Sequence, residues 1–478
     1  MNIKFLKQPV KVIVLIAMLL SLLVILSACE EEAGVISEDN IEDAINVPED
    51  YITIQEAINA AAEGDVIVVA PGIYNENINF AGKSITVQST NPEDKEVVEQ
   101  TVIDAGRSGA VVTFESSEKE GAVLSGFTIT GGGGKSAGLE MEIEGETVEE
   151  IASYGGGIFI ANRSEPTITN NIITKNVAER GGGLLVYNSA PTITGNLIKD
   201  NSSTGGGGGM FVVQSAGLIL RDNEITGNIS NRSGGGIAVS GKGDEPSVIE
   251  NNIITGNRAQ NGGGLAVFEA DPEIRNNNII GNHAYQDGAA IYVIRSSPDI
   301  SENEFIDNQA DARGGAVVVH SGSSPVITDN LVSGNEAITG GGGFLILMDA
   351  DPTIDSNIIT GNRSRRGGGL LIAEGAFPTL LNNEITGNIT ERFGAGLYVL
   401  ASEPYIEGNN ISDNDSRRDG GGIYITEESV VTLIENTFEN NSSNKGGAVY
   451  LAEGSMLELN DPDDNIYEGN VPDQIHEE

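Results

Sequence analysis

Two carboxylates in this sequence have a spacing that suits glycoside chemistry. Glu273 and Asp299 each follow a proline, and they stand at equivalent positions in two consecutive copies of an internal repeat. If successive copies stack as neighbouring strands, the two side chains lie about 5 Å apart on the outer surface. That separation suits the nucleophile and the acid of a retaining glycosidase, and it also suits Ca²⁺. Arg275 and Arg295 lie close in sequence, so the alternative is an exposed, partly neutralised charge cluster.

Histidine chemistry is not indicated by the sequence. His283 and His320 lie about one and a half repeats apart, which predicts neither a shared metal ion nor a histidine relay. We therefore expect no resident cofactor, with Ca²⁺ as an option only if the protein is a lyase.

The repeat that positions these residues occurs twelve times, at a spacing of 26 to 28 residues. Each copy opens on glycine, at Gly155, Gly181, Gly207, Gly234, Gly262, Gly288, Gly314, Gly341, Gly367, Gly394, Gly420 and Gly446. A fixed period of this size predicts a stacked solenoid.

Alternating apolar residues within each copy predict three short strands. Ile158 and Ile160 should point inward after the glycines, and Ile168 should do the same two residues after the proline position. Equivalent isoleucines, leucines and valines recur in the later copies. The sequence therefore predicts a narrow aliphatic core between parallel sheets.

Two asparagine series follow the same period. The first begins at Asn171 and continues through Asn196 to Asn436, and the second lies five residues later, from Asn176 to Asn441. Asparagine tolerates the left-handed backbone of a sharp bend, and stacked amides can bond to one another. We expect both series to be structural ladders.

The N-terminus has the features of an exported lipoprotein. Three lysines precede an apolar run from residue 12 to 26, and Leu26-Ser27-Ala28-Cys29 resembles a bacterial lipobox. This predicts a signal peptide, a lipid on Cys29, and an extracytoplasmic protein anchored at the cell surface or outer membrane. The protein has no second cysteine, so a disulfide within the chain is excluded.

We expect Cys29→Ser to release the protein from the membrane fraction or to leave an uncleaved precursor, because the acceptor thiol is lost. Membrane fractionation and the mass of the mature N-terminus measure this. A Cys29→Ser protein that matures and fractionates as the parent does would contradict the prediction.

Charge excludes one class of partner. The sequence has 70 acidic and 26 basic residues and a formal net charge of −44. Such a surface repels phosphate backbones, so we expect no nucleic-acid ligand.

Two parts of the sequence resemble known families. Residues 51–58 and 70–74, together with the repeats, resemble right-handed parallel β-helix proteins of the pectin-lyase-like superfamily. The segments Gly446-Gly447-Ala448 and Phe438-x-x-Asn441 are also similar to repeats of polymorphic outer-membrane proteins. The resemblance covers residues 49 to 460 and implies an all-β, right-handed parallel β-helix. It implies no single activity, because the superfamily includes lyases, hydrolases, esterases, adhesins and scaffolds.

Motifs of the better-defined enzymes are missing. The Gly-His-Gly signature of polygalacturonases is absent, and so is the tryptophan-containing pattern of pectin esterases. In the related lyases the base is usually an arginine, a role that Arg275 or Arg295 would take. The alternative to a binding protein is thus a polysaccharide lyase or glycoside hydrolase acting on an acidic, uronate-type polymer.

The chain divides by composition into five segments. A capping box at Thr53 and Glu56 predicts a short helix that closes the N-terminal end of the solenoid, ahead of a first strand at residues 66–69. The segments are the signal peptide 1–28, an acidic tether 29–48, the cap and first coils 49–154, regular repeats 155–460, and a C-terminal cap or tail 461–478. An acidic insertion at residues 135–153 interrupts the period, and it is either functional or a disordered loop.

Two surface features favour binding over catalysis. A stripe of large residues should face outward after the glycines, and it includes Phe159, Phe211, Tyr292, Tyr398, Tyr424 and Tyr450. Eleven of the 26 basic residues share one turn of the repeat, namely Arg180, Arg232, Arg258, Arg313, Arg363, Arg365, Arg366, Arg392, Arg417, Arg418 and Lys445. We expect the tyrosines to stack on sugar rings and Arg392, Arg417 and Arg418 to hold acidic groups. The alternatives are that the stripe is structural and that the arginines neutralise neighbouring acids. The predicted partner is a polysaccharide or another surface component such as a protein.

Overall fold

The computed structural model describes residues 44–143, 146–215, 217–459 and 464–478. The signal peptide, Cys29 and the tether up to residue 43 lie outside these residues. Within the described part, no helix has the length and apolar character needed to cross a membrane.

The chain winds as a parallel β-solenoid whose strands form four sheets, which we number in the order in which a turn visits them. Sheet 1 contains Ile45–Val47, Val66–Val69, Thr86–Ser89, Val123–Ser125, Thr167–Thr169, Thr192–Thr194, Ile219–Arg221, Val248–Glu250, Glu273–Arg275, Asp299–Ser301, Val326–Thr328, Thr353–Asp355, Thr379–Leu381, Tyr405–Glu407, Val430–Ile434 and Met456–Leu459. Sheet 2 contains Gly72–Tyr74, Thr101–Asp104, Thr128–Thr130, Ile172–Thr174, Leu197–Lys199, Glu224–Thr226, Ile253–Thr255, Asn278–Ile280, Glu304–Ile306, Leu331–Ser333, Ile358–Thr360, Glu384–Thr386, Asn410–Ser412, Thr437–Glu439 and Ile466–Glu468.

Sheets 3 and 4 complete each turn. Sheet 3 contains Lys135–Ile143, Glu146–Tyr154, Val177–Arg180, Ser202–Gly206, Ile229–Ser230, Arg258–Asn261, His283–Asp287, Gln309–Ala310, Glu336–Ala337, Arg363–Arg366, Ile389–Phe393 and Asp415–Ser416. Sheet 4 contains Ile78–Asn79, Val112–Phe114, Ile158–Ile160, Leu184–Tyr187, Met210–Val213, Ile237–Ser240, Leu265–Phe268, Ile291–Ile294, Val317–His320, Phe344–Leu347, Leu370–Ala373, Leu397–Leu400, Ile423–Thr426, Val449–Leu451 and Ile475–Glu477. The expectation of three strands per copy was wrong, because the turn that carries the basic residues is itself a strand.

The core forms as the alternation predicts. In sheets 1 and 2 the middle residue of most strands points inward, and in sheet 4 the first and third residues do so. Ile158, Ile160 and Ile168 are fully buried in one continuous cluster that runs the length of the solenoid. The predicted core is confirmed and is mainly aliphatic, with six phenylalanines among its residues.

The N-terminal end is closed by the predicted helix, Ile54–Ala60. The Thr53 hydroxyl accepts a hydrogen bond from the Glu56 amide at 3.1 Å, and the Glu56 carboxylate accepts one from the Thr53 amide at 3.3 Å. A second helix, Lys95–Gln100, packs beside sheet 2. The first strand is Ile45–Val47, which pairs with Val66–Val69, so these three residues belong to the solenoid although the sequence placed them in the tether.

Both asparagine ladders are present and buried. Asn303 Nδ2 donates to Ile274 O at 2.8 Å, to Ser301 O at 2.9 Å and to Asn330 Oδ1 at 3.1 Å. Its own Oδ1 accepts from the backbone and side-chain nitrogens of Asn277. The amides therefore bond from turn to turn and also satisfy backbone carbonyls at the bends.

The left-handed residue of each bend is not the ladder asparagine, which corrects the expected reason for its presence. The positive φ belongs to the residue before it, as at Asn170 and Lys175, ahead of Asn171 and Asn176. The ladder residues are asparagine because of their hydrogen bonds, and the preceding position carries the unusual backbone.

The opening glycines let sheets 3 and 4 approach closely. Gly207 has a φ of +61°, a conformation that L side chains rarely adopt. A Cβ atom on Gly208 would lie 2.6 Å from the Ile229 carbonyl oxygen, and one on Gly209 would lie 3.1 Å from Asn228 Nδ2. Backbone and ladder contacts therefore require the glycine triplet.

The acidic insertion is an antiparallel hairpin, Lys135–Ile143 with Glu146–Tyr154, and it begins sheet 3. Tyr154 is fully buried and pairs in register with Arg180 of the next turn. The alternative of a disordered loop is therefore wrong for the described residues of this segment.

Candidate functional site

Sheet 3 arranges the basic residues on one outer edge of the solenoid. After the hairpin, most strands of sheet 3 turn one small residue inward, such as Ala178, Ser364 or Thr390, because the opening glycines leave room for little else. The residues on either side of that position face outward. Arginines at these outward positions in successive turns therefore form a row parallel to the axis.

Part of this row is neutralised by acids. Arg180 pairs with Glu150 at 2.7 Å, and Arg313 pairs with Asp287 at 2.8 Å. Lys445 also bonds to the carboxylate of Glu478. For these residues, the alternative that the basic side chains neutralise neighbouring acids is correct.

Another part is not neutralised. We define the arginine cluster as Arg365, Arg366, Arg392, Arg417 and Arg418, which occupy three successive turns. Among the described residues, no carboxylate forms an ion pair with any of these five side chains. Partial desolvation lowers the pKa of Arg392, and the positive charges of Arg365, Arg418 and Arg366 lower it further. The cluster thus gathers like charges on an acidic protein.

The aromatic stripe has the predicted spacing but not the predicted exposure. The rings of Tyr398 and Tyr424 stack with centroids 5.4 Å apart, and those of Tyr424 and Tyr450 stack at 4.7 Å. Tyr398 and Tyr450 are only 6% and 3% exposed, and Tyr424 is half-buried. Phe159, Phe211 and Tyr292 are likewise buried. The expectation that these rings face solvent was therefore wrong, and they are not free to stack on sugar.

Side chains of sheet 3 and its turns cover the stripe. Arg366 lies 6.0 Å from the centroid of Tyr398, and the Phe393 ring contacts Tyr424 at 4.7 Å. Burial raises the pKa of Tyr424 to about 12, so its hydroxyl stays protonated at neutral pH. The outward side chains of sheet 3 therefore pack directly on the aromatic stripe, and Arg366 lies over one of its rings.

The carboxylate pair lies where the spacing predicts, but Glu273 is bonded to Arg275. Glu273 and Asp299 are opposite each other in adjacent strands. Arg275 donates to Glu273 at 2.6 Å and to Glu250 at 2.9 Å. The hydrogen bond to Glu250 is the main reason that the pKa of Arg275 is raised, which opposes any role as a base.

Arg295 belongs to a different part of the surface. It donates to Glu269 at 2.7 Å on the outer side of sheet 4. The four proposed catalytic residues therefore do not form one group of paired side chains. Within the described ranges, no group of three or more histidine, cysteine, aspartate or glutamate residues has the geometry of a metal site.

Sequence reasoning missed the surroundings of His320. Its ring lies 6.2 Å from that of Tyr292. Burial lowers the pKa of His320, and the nearby charge of Arg313 adds to this effect, so the imidazole is neutral at pH 7. His320 is the fourth residue of the sheet 4 strand Val317–His320. The register of the neighbouring strands, which pairs it with Ile294, is needed to place its side chain.

Comparison with known families agrees with this architecture. The family described as the right handed beta helix region matches residues 77–251, 228–347 and 337–462. The chain belongs to the right-handed β-helix family. No curated protein matches the sequence of this β-helix protein.

Two solved structures are similar to this β-helix protein. One is described as the complex structure of XylC with xylose, with 13% identity, a TM-score of 0.36, and coverage of 87% of this chain and 83% of that chain. The other is the siphovirus 9NA tailspike receptor binding domain, with 11% identity, a TM-score of 0.32, and coverage of 91% and 78%. Similarity at this level says nothing about ligand or activity.

Proposed function

We propose that this β-helix protein binds an anionic polysaccharide along sheet 3 through the arginine cluster. The observation that carries the proposal is the concentration of five arginines in three turns of a protein whose net charge is −44. No carboxylate in the described ranges pairs with them, although acids outnumber bases by 70 to 26.

An anionic ligand would relieve the repulsion within the cluster. Desolvation lowers the pKa of Arg392, and the like charges of Arg365, Arg418 and Arg366 lower it further, as expected for guanidinium groups that repel one another. An acidic group placed between these guanidinium groups would be attracted by all of them at once. The cluster is thus better suited to an anion than to water alone.

The geometry favours a polymer. Adjacent turns are about 4.8 Å apart, so the cluster repeats its charges at about the length of one sugar residue. Each guanidinium fork can hold a carboxylate, sulfate or phosphate group through two hydrogen bonds. Weak contacts repeated along one chain add up through their high effective concentration.

The rings of Tyr398, Tyr424 and Tyr450 have a supporting role in this proposal. The Arg366 guanidinium lies over the buried ring of Tyr398, which stacks on Tyr424, and Tyr424 stacks on Tyr450. Binding through charge therefore replaces the expected stacking of these tyrosines on sugar rings.

We also propose that the protein works outside the cytoplasmic membrane, anchored through Cys29. This part is supported only by the lipobox-like segment, and Cys29 lies outside the described residues. The fractionation of Cys29→Ser tests it independently of ligand binding.

The test of ligand binding compares three polyanions with a neutral polymer. Polygalacturonate, dextran sulfate and teichoic acid supply carboxylate, sulfate and phosphate, and dextran supplies no charge. We expect the triple variant Arg366→Gln, Arg392→Gln, Arg418→Gln to bind its best polyanion at least tenfold more weakly than the parent. We also expect affinity to fall as salt rises, because the ionic contacts are screened.

The matched control is Arg107→Gln, Arg163→Gln, Arg221→Gln, which removes the same charge from exposed positions elsewhere. It should bind within twofold of the parent. Equal losses in both triple variants, or no binding to any of the polyanions, would contradict the proposal. Release of unsaturated ends from polygalacturonate would show that the protein is a lyase.

A further inference from the structure

A gap interrupts the outer face of sheet 4. Along the stripe, Phe211 is followed in the next two turns by Ala238 and Ala266. In the neighbouring outward column, Ser240 is followed by Phe268. The small side chains of Ala238 and Ser240 line a groove of about 220 Å³, together with Phe211 and Phe268. We call this cavity the groove.

Sheet 3 is open above the same turns. In sheet 3, side chains such as Arg180 and Arg366 cover the aromatic stripe. Gly206 is paired in register with Arg180, so this covering position has no side chain in the turn of Gly206. A Cβ atom on Gly206 would lie 3.7 Å from Arg180 Nη1 and 3.8 Å from Phe211 Cε2, which are ordinary contact distances. A longer side chain at Gly206 would therefore fit the backbone and grow into the groove.

The net positive charge of the groove comes from Arg232, because Glu150 neutralises Arg180 and Glu269 neutralises Arg295. Arg180, Arg232 and Arg295 line the groove, and Glu269 is the one carboxylate among its lining residues. Glu150 of the hairpin fixes Arg180, whose guanidinium lies 5.2 Å from the centroid of Phe211.

Arg232 is exposed at the rim of the groove. Unlike Arg180, it forms no ion pair with a carboxylate in the part of the chain that the structure describes. An incoming acidic group would therefore find one guanidinium already oriented by the hairpin and another open to a new partner.

We propose that the groove binds a single acidic sugar residue, a hexuronate whose carboxylate faces Arg232. Pockets for drug-sized ligands have volumes of about 300–1,000 Å³, so this smaller groove suits one sugar ring. The half-buried ring of Phe268 offers an apolar face for the sugar, and Arg232 selects its charge.

The inference deepens the proposed function, on which it rests for the nature of the ligand. The groove and the arginine cluster lie on the same side of the solenoid, five turns apart, which is about 25 Å. A polymer that follows sheet 3 would thus place one acidic unit in the groove while other units contact the cluster.

Trigalacturonate and neutral galactotriose distinguish this site in isothermal titration calorimetry. We expect the parent to bind trigalacturonate at least tenfold more tightly than galactotriose. Arg232→Gln should weaken trigalacturonate binding about tenfold by removing the open cation, and Gly206→Leu should do so by filling the groove. Arg163→Gln and the triple variant of the arginine cluster should remain within twofold.

The outcomes separate the two proposals. Unchanged trigalacturonate binding by Arg232→Gln, or a parent that binds neither trisaccharide or both equally, overturns the groove. If the cluster variant loses polyanion binding while Arg232→Gln retains trigalacturonate, the proposed function stands and the groove fails. If the cluster variant retains polyanion binding while Arg232→Gln loses trigalacturonate, the groove stands and the proposed function fails. Because Arg232 is exposed, its variant decides the question even if Gly206→Leu does not fold.

Discussion

We expect Asn303→Ala to lower the free energy of unfolding by about 4 kcal/mol. The change removes three hydrogen bonds donated by Asn303 Nδ2 and two accepted by its Oδ1. The Ile274 carbonyl and the Asn277 amide would lose these partners in a buried environment, and each orphaned group costs about 1–3 kcal/mol. Urea unfolding followed by circular dichroism measures the effect.

Asn278→Ala is the matched control in the same turn. Its side chain is exposed on the outer face of sheet 2, so its loss should change stability by no more than about 0.5 kcal/mol. Hydrogen exchange adds a local readout, because the Asn277 amide should exchange faster only in Asn303→Ala. Similar unfolding midpoints for the two variants would show that the ladder contributes little.

Gly235→Ala should lower the free energy of unfolding by about 3 kcal/mol, because it overpacks the contact between sheets 3 and 4. A Cβ atom there would lie 2.6 Å from both the nitrogen and the carbonyl oxygen of Arg258. Both atoms are backbone atoms, so relief requires the strand Arg258–Asn261 to move. Thermal and urea unfolding measure the loss.

Gly281→Ala separates this packing effect from backbone strain. Gly281 has a φ of +62°, and a Cβ atom there would have no other heavy atom within 4 Å. Its replacement should cost about 1–2 kcal/mol, from the left-handed conformation alone. If Gly235→Ala is no worse than Gly281→Ala, close approach of the sheets does not explain the glycine triplet.

The sequence predicts those parts of the fold in which one residue type repeats for one reason. Ile158, Ile168 and the ladder asparagines recur because every turn needs the same core contact and the same hydrogen bonds. The capping box at Thr53 is equally local. Sheet 3 was missed because strands such as Gln309–Ala310 turn only one small residue inward, which produces no apolar alternation.

The surface was harder to predict than the core. Alternation shows that Tyr398 points away from the core, but it does not show that a neighbouring strand covers it. The burial of Tyr398 depends on how sheet 3 lies against sheet 4, because side chains of sheet 3 from neighbouring turns cover the ring. For the same reason the groove was invisible in the sequence, since Gly206, Ala238 and Arg232 meet only through register and lateral packing.

The asparagine ladders also have defined ends. The first rungs, Asn171 and Asn176, accept from the backbone amides of Phe127 and Gly132, and Asn470 donates to Gln474 at 2.8 Å. Every turn between these ends presents the same acceptor to one neighbour and the same donor to the other. A gene can therefore gain or lose a whole turn by in-frame duplication or deletion without leaving an amide unmatched. The length of the molecule, and the number of arginines it displays, can change in evolution without a new fold.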